Sequence, residues 1–429
     1  MFNFDQVTER RGTRCVKWDE TAPGVLPLWV GDMDFPTAPA VREAIVRRAT
    51  HGCFGYTAVP EEYYQAIRDW FAVRHQWNIG RDEILYTIGV VPAIAASLKA
   101  LCQTGDNVVV LTPIYNCFFN LIRNAGCQAV EVPLSVTETE REGIIRYEID
   151  WNALAEALAR EKSTVLLFCN PHNPAGRVWG KEQLYRVAAL CHEHHVAVVC
   201  DEIHNELTEP DLLYTPFAPV AEALNKELCK VGGTGSAEPL KYIVCTSPSK
   251  AFNIAGLQNA NLMVADAELR RRVDRAINLN EVCDVNPFGV EAVIAAYNEG
   301  GEWLDALRTY IYGNYVFARD LLLDKLPELR IAEMQGTYFM WVDCRRLKVL
   351  QGKNVAWLCD KLTEEAKVRL CAGQIYGKAG EGFVRINLAC PRSILSEALA
   401  RFINFVNFQG NYKEIWHKEN SSMFKEIRY

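Results

Sequence analysis

The sequence predicts an α/β protein with a mostly parallel seven-stranded sheet, sandwiched by helices, and a second, smaller α+β domain. Two observations support this prediction. Between residues 83 and 265, seven short apolar runs alternate with stretches of helical periodicity, and strands joined by crossover helices are typical of a parallel sheet. After residue 286 the pattern changes to long helical stretches that enclose two further strand-like runs.

The larger sheet is predicted from runs of aliphatic and β-branched residues that end at polar or turn-forming residues. In chain order these strands lie at 83–87, 107–112, 128–134, 163–169, 196–201, 242–247 and 260–265. Helical stretches such as PAIAASLKALCQ, WNALAEALAREK and KEQLYRVAALCHEHH lie between them, after an earlier helical period at 61–77. The elements predicted for the smaller domain lie at 289–325, 336–344, 354–368, 382–390 and in a final helix.

Domain boundaries follow from these changes of pattern. The larger domain is placed at residues 46–285, and the smaller domain combines an N-terminal arm, 1–45, with residues 286–408. The polar and aromatic tail at 409–429 stays unassigned. The Gly-rich stretch 226–240 is interpreted as a surface loop, because its G-G-T-G-S only weakly resembles a phosphate-binding loop.

Composition restricts the function classes. The chain has 429 residues, a net charge of −7 and 49% hydrophobic residues, which is ordinary for a globular protein. A net-acidic chain without a long Lys/Arg run is a poor candidate for binding nucleic acid or an anionic membrane. No apolar run reaches the roughly 18 residues of a membrane span, and the N-terminus lacks the apolar region of a signal peptide. The fifteen cysteines form no C-x-x-C pair, so we expect free thiols, no metal site and a reducing, cytoplasmic compartment.

Five of the predicted strands are followed by residues that can carry chemistry. In chain order these residues are Gly89, Tyr115, Asn170 with Asn173, Asp201, and Lys250. Because the carboxyl ends of parallel strands meet at one edge of a sheet, where ligands bind, we expect these residues to lie close together. Taken singly, each has a plain structural interpretation: a turn, a surface aromatic, a helix cap or a solvated lysine.

Together these residue types match the parts of one molecule, pyridoxal 5′-phosphate. A helix start suits a phosphate, an aromatic face suits a flat ring, and an amide suits a phenolic oxygen. The carboxylate of Asp201 would keep the ring nitrogen protonated, which makes the ring an electron sink. Lys250, partly desolvated near an apolar site, would have a nucleophilic amine able to react with the aldehyde.

Longer motifs add a resemblance to a known family. The sequence resembles the MalY/PatB group of cystathionine β-lyases (cysteine-S-conjugate β-lyases), in the class I/II aminotransferase superfamily of fold-type I pyridoxal-phosphate enzymes. The motifs are WVGDMDFPTAP, FGYTAVPEEYY, CNPHNPAGRVW, CDEIHNE, SPSKAFNIAGLQNA and GFVRINLACPRS, and they extend from about residue 28 to residue 400. The resemblance implies a homodimer with a shared active site and an amino-acid substrate, a cysteine S-conjugate cleaved by α,β-elimination to a thiol, pyruvate and ammonia.

Carried over residue by residue, the resemblance also implies roles. Lys250 would hold the cofactor covalently and act as the base at the substrate Cα, and Asp201 would pair with the pyridine nitrogen. The other cofactor-binding residues would be Asn173 at the ring oxygen, Tyr115 on the ring, Gly89, Val90, Val91 and Ser247 at the phosphate, and His204. The substrate-binding residues would be Arg385, which clamps the α-carboxylate, and Asn173, Tyr115 and Gly31. Tyr56, a second catalytic candidate, would reach the phosphate or the substrate of the neighbouring subunit.

The motifs depart in places from those of related enzymes. His204 stands where many aminotransferases have Tyr, as it does in the lyase group. Gln258 stands where many have Arg, so one phosphate charge is less directly neutralised. Gly31 stands where the lyase group often has Ala, and Ala175 where Thr or Val is common.

Three other functions remain open from the sequence. The first is an aminotransferase on the same scaffold, because loss of the Cα proton is common to both reactions. The second is a regulatory protein that keeps the cofactor fold and acts through a partner, although the set Lys250, Asp201 and Arg385 argues against a purely non-catalytic role. The third is a desulfurase, which would need a mobile reactive cysteine, and Cys390 is the candidate to check.

Overall fold

The computed structural model describes residues 2–231, 238–280 and 284–408. The strands are β1 Leu26–Pro27, β2 Ile84–Thr87, β3 Asn107–Thr112, β4 Gln128–Pro133, β5 Ser135–Glu138, β6 Ile144–Glu148, β7 Ser163–Cys169, β8 Ala197–Asp201, β9 Tyr242–Thr246, β10 Ala260–Met263, β11 Arg330–Ala332, β12 Phe339–Asp343, β13 Val368–Arg369, β14 Cys371–Ala372 and β15 Phe383–Asn387. The α-helices are α1 Val16–Asp19, α2 Pro39–His51, α3 Glu61–His75, α4 Val90–Leu101, α5 Cys117–Asn124, α6 Trp151–Leu158, α7 Lys181–Glu193, α8 Phe217–Val231, α9 Ala267–Ile277, α10 Pro287–Glu299, α11 Gly301–Lys325, α12 Val355–Lys361 and α13 Arg392–Phe408.

The central sheet has seven strands in the spatial order β2-β10-β9-β8-β7-β3-β4. Four of its pairs are parallel: β3 pairs with β4 and with β7, and β8 pairs with β7 and with β9. Only β10 runs antiparallel, to β2 on one side and β9 on the other. The prediction of a mostly parallel seven-stranded sheet is confirmed, and all seven strands lie within the predicted runs or at their edges.

Helices cover both faces of this sheet because successive strand residues point in opposite directions. Val108 and Val110 pack with residues of α4, α5 and α9 in one apolar cluster. Val109 and Leu111, on the same strand, belong to the cluster that includes α7, α8 and α10. Burial on both faces explains why the strands read as unbroken apolar runs.

The second sheet has six strands in the order β14-β15-β12-β11-β6-β5. Its hairpin β5–β6 comes from within residues 46–285, which the sequence assigned to the larger domain, and joins the later strands through β6 and β11. The sequence signal failed here because all four residues of β5 are exposed, so the strand carries no apolar run. The second sheet therefore combines strands from both predicted domains.

Two further predictions concern the ends of the described ranges. Helix α8 continues to residue 231, so the first part of the predicted loop at 226–240 is helical. Residues 232–237 of that loop and the tail at 409–429 lie outside the described residues. Among the helices that the structure describes, none is long and apolar enough to span a membrane.

The N-terminal arm is held by a buried cluster of ion pairs. Lys17 Nζ lies 2.8 Å from Asp34 Oδ2, and the two side chains are 0% and 2% exposed. Arg10 contacts both Asp34, at 2.9 Å, and Asp32, at 2.8 Å. Trp18 Nε1 donates to Asp34 at 2.8 Å. Because each buried charge has a partner, the arm can lie against the body of the protein without an isolated charge in its interior.

Substitution of Lys17 should therefore destabilise the protein strongly. Lys17→Ala leaves the Asp34 carboxylate with one cation fewer in a desolvated position, and such a loss costs about 3 kcal/mol or more. The matched control is Lys226→Ala, which removes an exposed lysine 3.9 Å from Glu222 and should cost less than about 0.5 kcal/mol. Thermal unfolding followed by circular dichroism measures both. Equal midpoints for the two variants would contradict the prediction.

Candidate active site

The strand ends of the central sheet meet around one cavity of about 730 Å³. Asp201 ends β8, and Tyr115, Asn173 and Lys250 follow β3, β7 and β9. These four strands are neighbours in the sheet. All four residues line the cavity, together with Gly31, Gly89, Val90, Val91, His204 and Arg385. The structure thus brings together most of the residues that the sequence selected.

Lys250 lies at the centre of this cavity. Its Nζ donates a 2.6 Å hydrogen bond to the carbonyl oxygen of Gly31. Burial lowers the pKa of the amine, the charge of Arg385 lowers it further, and the carboxylates of Asp32 and Asp201 act in the opposite direction. A lowered pKa favours the neutral amine, the form that acts as a nucleophile or a base.

Asp201 ends β8 as a buried carboxylate. One of its oxygens, Oδ1, accepts from the backbone N–H of Ile203 at 3.1 Å. Burial raises the pKa of Asp201 to about 6, against this backbone hydrogen bond and the charge of Lys250. A cationic ring N–H placed against Asp201 would stabilise its charged form.

His204 follows Asp201 in the same turn and is also buried. Burial first, and then the charges of Lys250 and Arg385, lower its pKa well below the ordinary value. Its ring packs edge-on against Tyr338 and Phe339, with centroids 5.5 and 5.9 Å away. The imidazole is therefore neutral and adds no further positive charge to the cavity.

Arg385 reaches the cavity from β15 in the second sheet. Its Nη1 donates to Asn173 Oδ1 at 3.2 Å, and its Nη2 donates to the carbonyl oxygen of Trp29 at 3.1 Å. The guanidinium carbon lies 3.9 Å from the ring centroid of Phe339. These contacts fix the plane of the guanidinium, whose fork can bind a carboxylate through two hydrogen bonds.

The start of α4 forms one end of the cavity. Gly89 is its N-cap residue, and Val90 and Val91 form the first turn. The first N–H groups of a helix have no partner within the helix, so this end suits a phosphate.

Two positions, Ser247 and Asn170, differ from the sequence-based expectation, and a third, Tyr56, was expected to serve the neighbouring subunit. The Ser247 hydroxyl donates to the carbonyl oxygen of Asn259 at 2.7 Å and does not line the cavity, whereas Ser249 does. Tyr56 is 99% exposed and lies outside the cavity of this chain. The Asn170 side chain donates to the carbonyl oxygen of Thr215 and accepts from the backbone N–H of Trp179, and it does not line the cavity, so only the second Asn-Pro step contributes an amide there.

Sequence reasoning missed several residues that line the cavity. They are Trp29, Asp32, Asn259, Phe339, Cys371 and Tyr376. Trp29 and Asp32 belong to the motif WVGDMDFPTAP, but they lie in an irregular segment that no periodicity could place. Tyr376 and Phe339 come from the second sheet or its loops, and their aromatic rings give no signal beyond that of core residues.

The groups around the cavity fit pyridoxal phosphate. Buried polar atoms there have no partner: both polar side-chain atoms of Asn259 and Nδ1 of His204. The cavity thus offers free polar atoms, a helix start, a carboxylate and an amine. Together these groups match a ligand with a phosphate, a ring nitrogen, a phenolic oxygen and an aldehyde. The residues present therefore satisfy each part of the molecule that the sequence predicted.

Comparison with known proteins gives matches over nearly the whole chain. A family model for aminotransferase class I and II matches residues 23–402. Cystathionine β-lyase PatB of Bacillus subtilis (strain 168) is 36% identical over 404 residues, 93% of this chain and 98% of PatB. Protein MalY of Escherichia coli (strain K12) is 33% identical over 413 residues, 95% of this chain and 99% of MalY. The structure of cystalysin from Treponema denticola, which contains a pyridoxal 5′-phosphate cofactor, has a TM-score of 0.84 at 31% identity and covers 95% of this chain and 99% of cystalysin.

The raised pKa of Asp201 predicts how the cofactor-free protein responds to pH. Burial disfavours the ionised carboxylate, so the pKa rises from 3.8 to about 6 on folding. The contribution of Asp201 to stability should then fall as pH rises from about 4 to about 6, by a total of about 3 kcal/mol, and stay at that lower level above pH 6. Asp201→Asn removes this loss, so its unfolding midpoint relative to the parent should be higher at about pH 7.5 than at about pH 5. A difference between variant and parent that does not change with pH would contradict the prediction.

Proposed function

Because the chain belongs to the class I and II aminotransferase family, and within it to the group of PatB and MalY, we propose that it is a pyridoxal-phosphate-dependent carbon–sulfur β-lyase acting on L-cystathionine or related cysteine S-conjugates. The family assignment rests on the matched residues 23–402 and on 36% and 33% identity to these relatives. The enzyme class and the cofactor accord with the cystathionine β-lyase name of PatB and the bound cofactor of cystalysin.

One observation of the structure carries the proposal. A single cavity holds an amine with a lowered pKa, Lys250, and a fixed guanidinium, Arg385. An amino acid whose carboxylate binds Arg385 would present its Cα toward the same cavity as the amine. This is the arrangement that removal of a Cα proton requires.

The residues that would hold the cofactor follow from their places around the cavity. Lys250 would bind it covalently, Asp201 would face the ring nitrogen, and Asn173 would face the phenolic oxygen. Tyr115 would lie on the ring, and the first turn of α4 with Gly89 would bind the phosphate. Ser249 replaces Ser247 as the hydroxyl available inside the cavity. When bound, the cofactor draws off the electron pair left at the substrate Cα.

The chain's own residues account for the remaining chemistry. Once the amino group of the substrate has displaced it, the free amine of Lys250, whose pKa burial lowers, takes the proton from Cα, and the Gly31 carbonyl accepts a hydrogen bond from the resulting ammonium. Arg385, which is fixed by its hydrogen bonds to Asn173 and Trp29, holds the α-carboxylate in place during the proton transfer. A thiolate then leaves from Cβ, and hydrolysis of the remaining fragment gives pyruvate and ammonia.

We further propose a homodimer with a shared active site in a reducing, cytoplasmic compartment. Tyr56 supports the shared site, because its ring is exposed and does not line the cavity of its own chain. Phe54, two residues earlier, is also more than half exposed. The cysteines of the described residues are all free of disulfides, as a reducing compartment allows.

The activity is tested by mixing the purified protein, loaded with pyridoxal phosphate, with L-cystathionine. We expect pyruvate and free thiol in equal amounts, and loss of both in Lys250→Ala, which also lacks the visible band of the lysine-bound cofactor. An α-keto acid that keeps its sulfur, with conversion of the cofactor to its amine form, would identify an aminotransferase instead. A protein that takes up no cofactor would contradict the proposal and favour a binding role.

Subunit complementation tests the shared site. Tyr56→Ala and Lys250→Ala dimers should each be nearly inactive. When the two chains are unfolded together and refolded, mixed dimers contain one site with both residues intact. Half of the dimers are mixed and half of their sites are intact, so about a quarter of the parental activity should return. No recovery in dimers shown to be mixed would mean that Tyr56 acts within its own chain or not at all.

A further inference from the structure

The segment between β1 and α2 crosses the cavity without regular secondary structure. Its carbonyl groups at residues 28–33, the carbonyl row, are nevertheless all hydrogen-bonded. The donors are Asn387 N to Leu28, Arg385 Nη2 to Trp29, Asn387 Nδ2 to Val30 and Asp32, Lys250 Nζ and Tyr338 Oη to Gly31, Lys17 Nζ to Asp32, and Arg10 Nη1 and Asn253 Nδ2 to Met33. Most of these donors are side chains from distant parts of the sequence.

Two donors of the carbonyl row are the basic side chains of the proposed reaction. Lys250 Nζ binds Gly31 at 2.6 Å, and Arg385 Nη2 binds Trp29 at 3.1 Å. The two acceptors are two residues apart in one short segment. The direction of the amine and the plane of the guanidinium therefore depend on the same piece of backbone.

Asn387 holds this piece of backbone in place. Its Nδ2 donates to Val30 at 2.6 Å and to Asp32 at 2.7 Å, the carbonyls on either side of Gly31. Its own Oδ1 accepts from the backbone N–H of Ala389 at 2.8 Å, which fixes the amide orientation. The side chain is 1% exposed, so water cannot replace these bonds.

Because Asn387 lies on β15, it connects the carbonyl row to Arg385, the residue that would bind the substrate carboxylate. Residues 385 and 387 lie two apart on one strand, so their side chains point to the same face. Asn387 and Arg385 thus bind consecutive stretches of the carbonyl row from one rigid strand. Asn387 does not line the cavity, and neither the proposed substrate nor the cofactor would touch it.

We propose that Asn387 is a positioning residue of the reaction, which fixes the carbonyl row so that Gly31 directs Lys250 and Trp29 directs Arg385 at the same substrate. The proposal rests on the proposed function for the identity of the substrate. It assigns to one amide a joint effect on proton transfer and on carboxylate binding. Removal of the amide should disturb both steps, because both acceptors belong to the segment that it holds.

The test compares Asn387→Ser with a matched control, Asn314→Ser. Asn314 is also fully buried, and its Nδ2 also donates to two carbonyls, of Leu388 at 2.8 Å and Cys390 at 2.9 Å. It binds no carbonyl of the row and does not line the cavity. Thermal midpoints of the loaded proteins show whether the two substitutions destabilise the fold to a similar degree.

Two readouts separate positioning from stability, and neither requires cleavage of a carbon–sulfur bond. The first is the dissociation constant of 3-(methylthio)propanoate, an unreactive carboxylate, from a titration of the cofactor's absorbance. The second is the rate at which deuterium from solvent enters Cα of L-alanine, which has no leaving group. Both can be measured even if L-cystathionine proves not to be a substrate, so failure of the proposed function stays distinct from failure of this inference.

We expect Asn387→Ser to weaken carboxylate binding and to slow deuterium entry, each by about 10-fold, the size of a lost oriented contact to a charged group. Asn314→Ser should change each by less than about twofold, the level of substitutions away from the site. Equal effects of the two variants, or an effect on only one of the two readouts, would overturn the proposal. If Asn387→Ser does not fold, Asn253→Ser removes the donations to Met33 and Phe35 at the far end of the segment without adding a charge to the cavity that Asn253 lines. It should raise the dissociation constant and slow deuterium entry, and no change in either would then overturn the proposal.

Discussion

Two basic groups, the amine of Lys250 and the guanidinium of Arg385, lie in one poorly solvated cavity, and much of the surrounding structure serves to balance them. Burial and the charge of Arg385 lower the pKa of Lys250, whereas Asp32 and Asp201 raise it. Neutral oxygens complete the balance, from Gly31, Trp29 and Asn173. No single sheet or helix could supply acceptors on all of these sides. This explains why the cavity is assembled from both sheets and from the N-terminal arm.

The aromatic and imidazole groups of the cavity follow from the same constraint. His204 stays neutral because burial, together with the nearby Lys250 and Arg385, opposes a further positive charge. The rings of Phe339 and Tyr376 lie 3.9 and 5.0 Å from the Arg385 guanidinium, and ring faces attract a cation without adding net charge. A departure from the aminotransferase pattern at residue 204 thus leaves the charge of the site unchanged.

The parts of the site that lie at strand ends could be predicted from the sequence. Lys250, Asp201 and Asn173 each follow a buried apolar run, and parallel pairing brings the ends of such runs together. Trp29 and Asp32 could not be placed in this way, since their segment has no repeat and its conformation depends on donors from far along the chain. Ser247 and Ser249 show a second limit, because a difference of two residues along one turn decides which hydroxyl lines the cavity. The hairpin β5–β6 shows a third, since an exposed strand carries no apolar signal.

The carbonyl row also bears on the order in which the protein is built. Its bonds to Arg385 and Asn387 join residues 356 and 357 positions apart. A ribosome makes the chain from its N-terminus, and domains can fold as they emerge. The last strand of the central sheet ends at residue 263. The sheet can therefore form before Arg385, on β15, has been synthesised. A nascent chain would thus hold the lysine and its aspartate before it could hold a substrate, and catalysis would begin only after nearly the whole described chain had emerged.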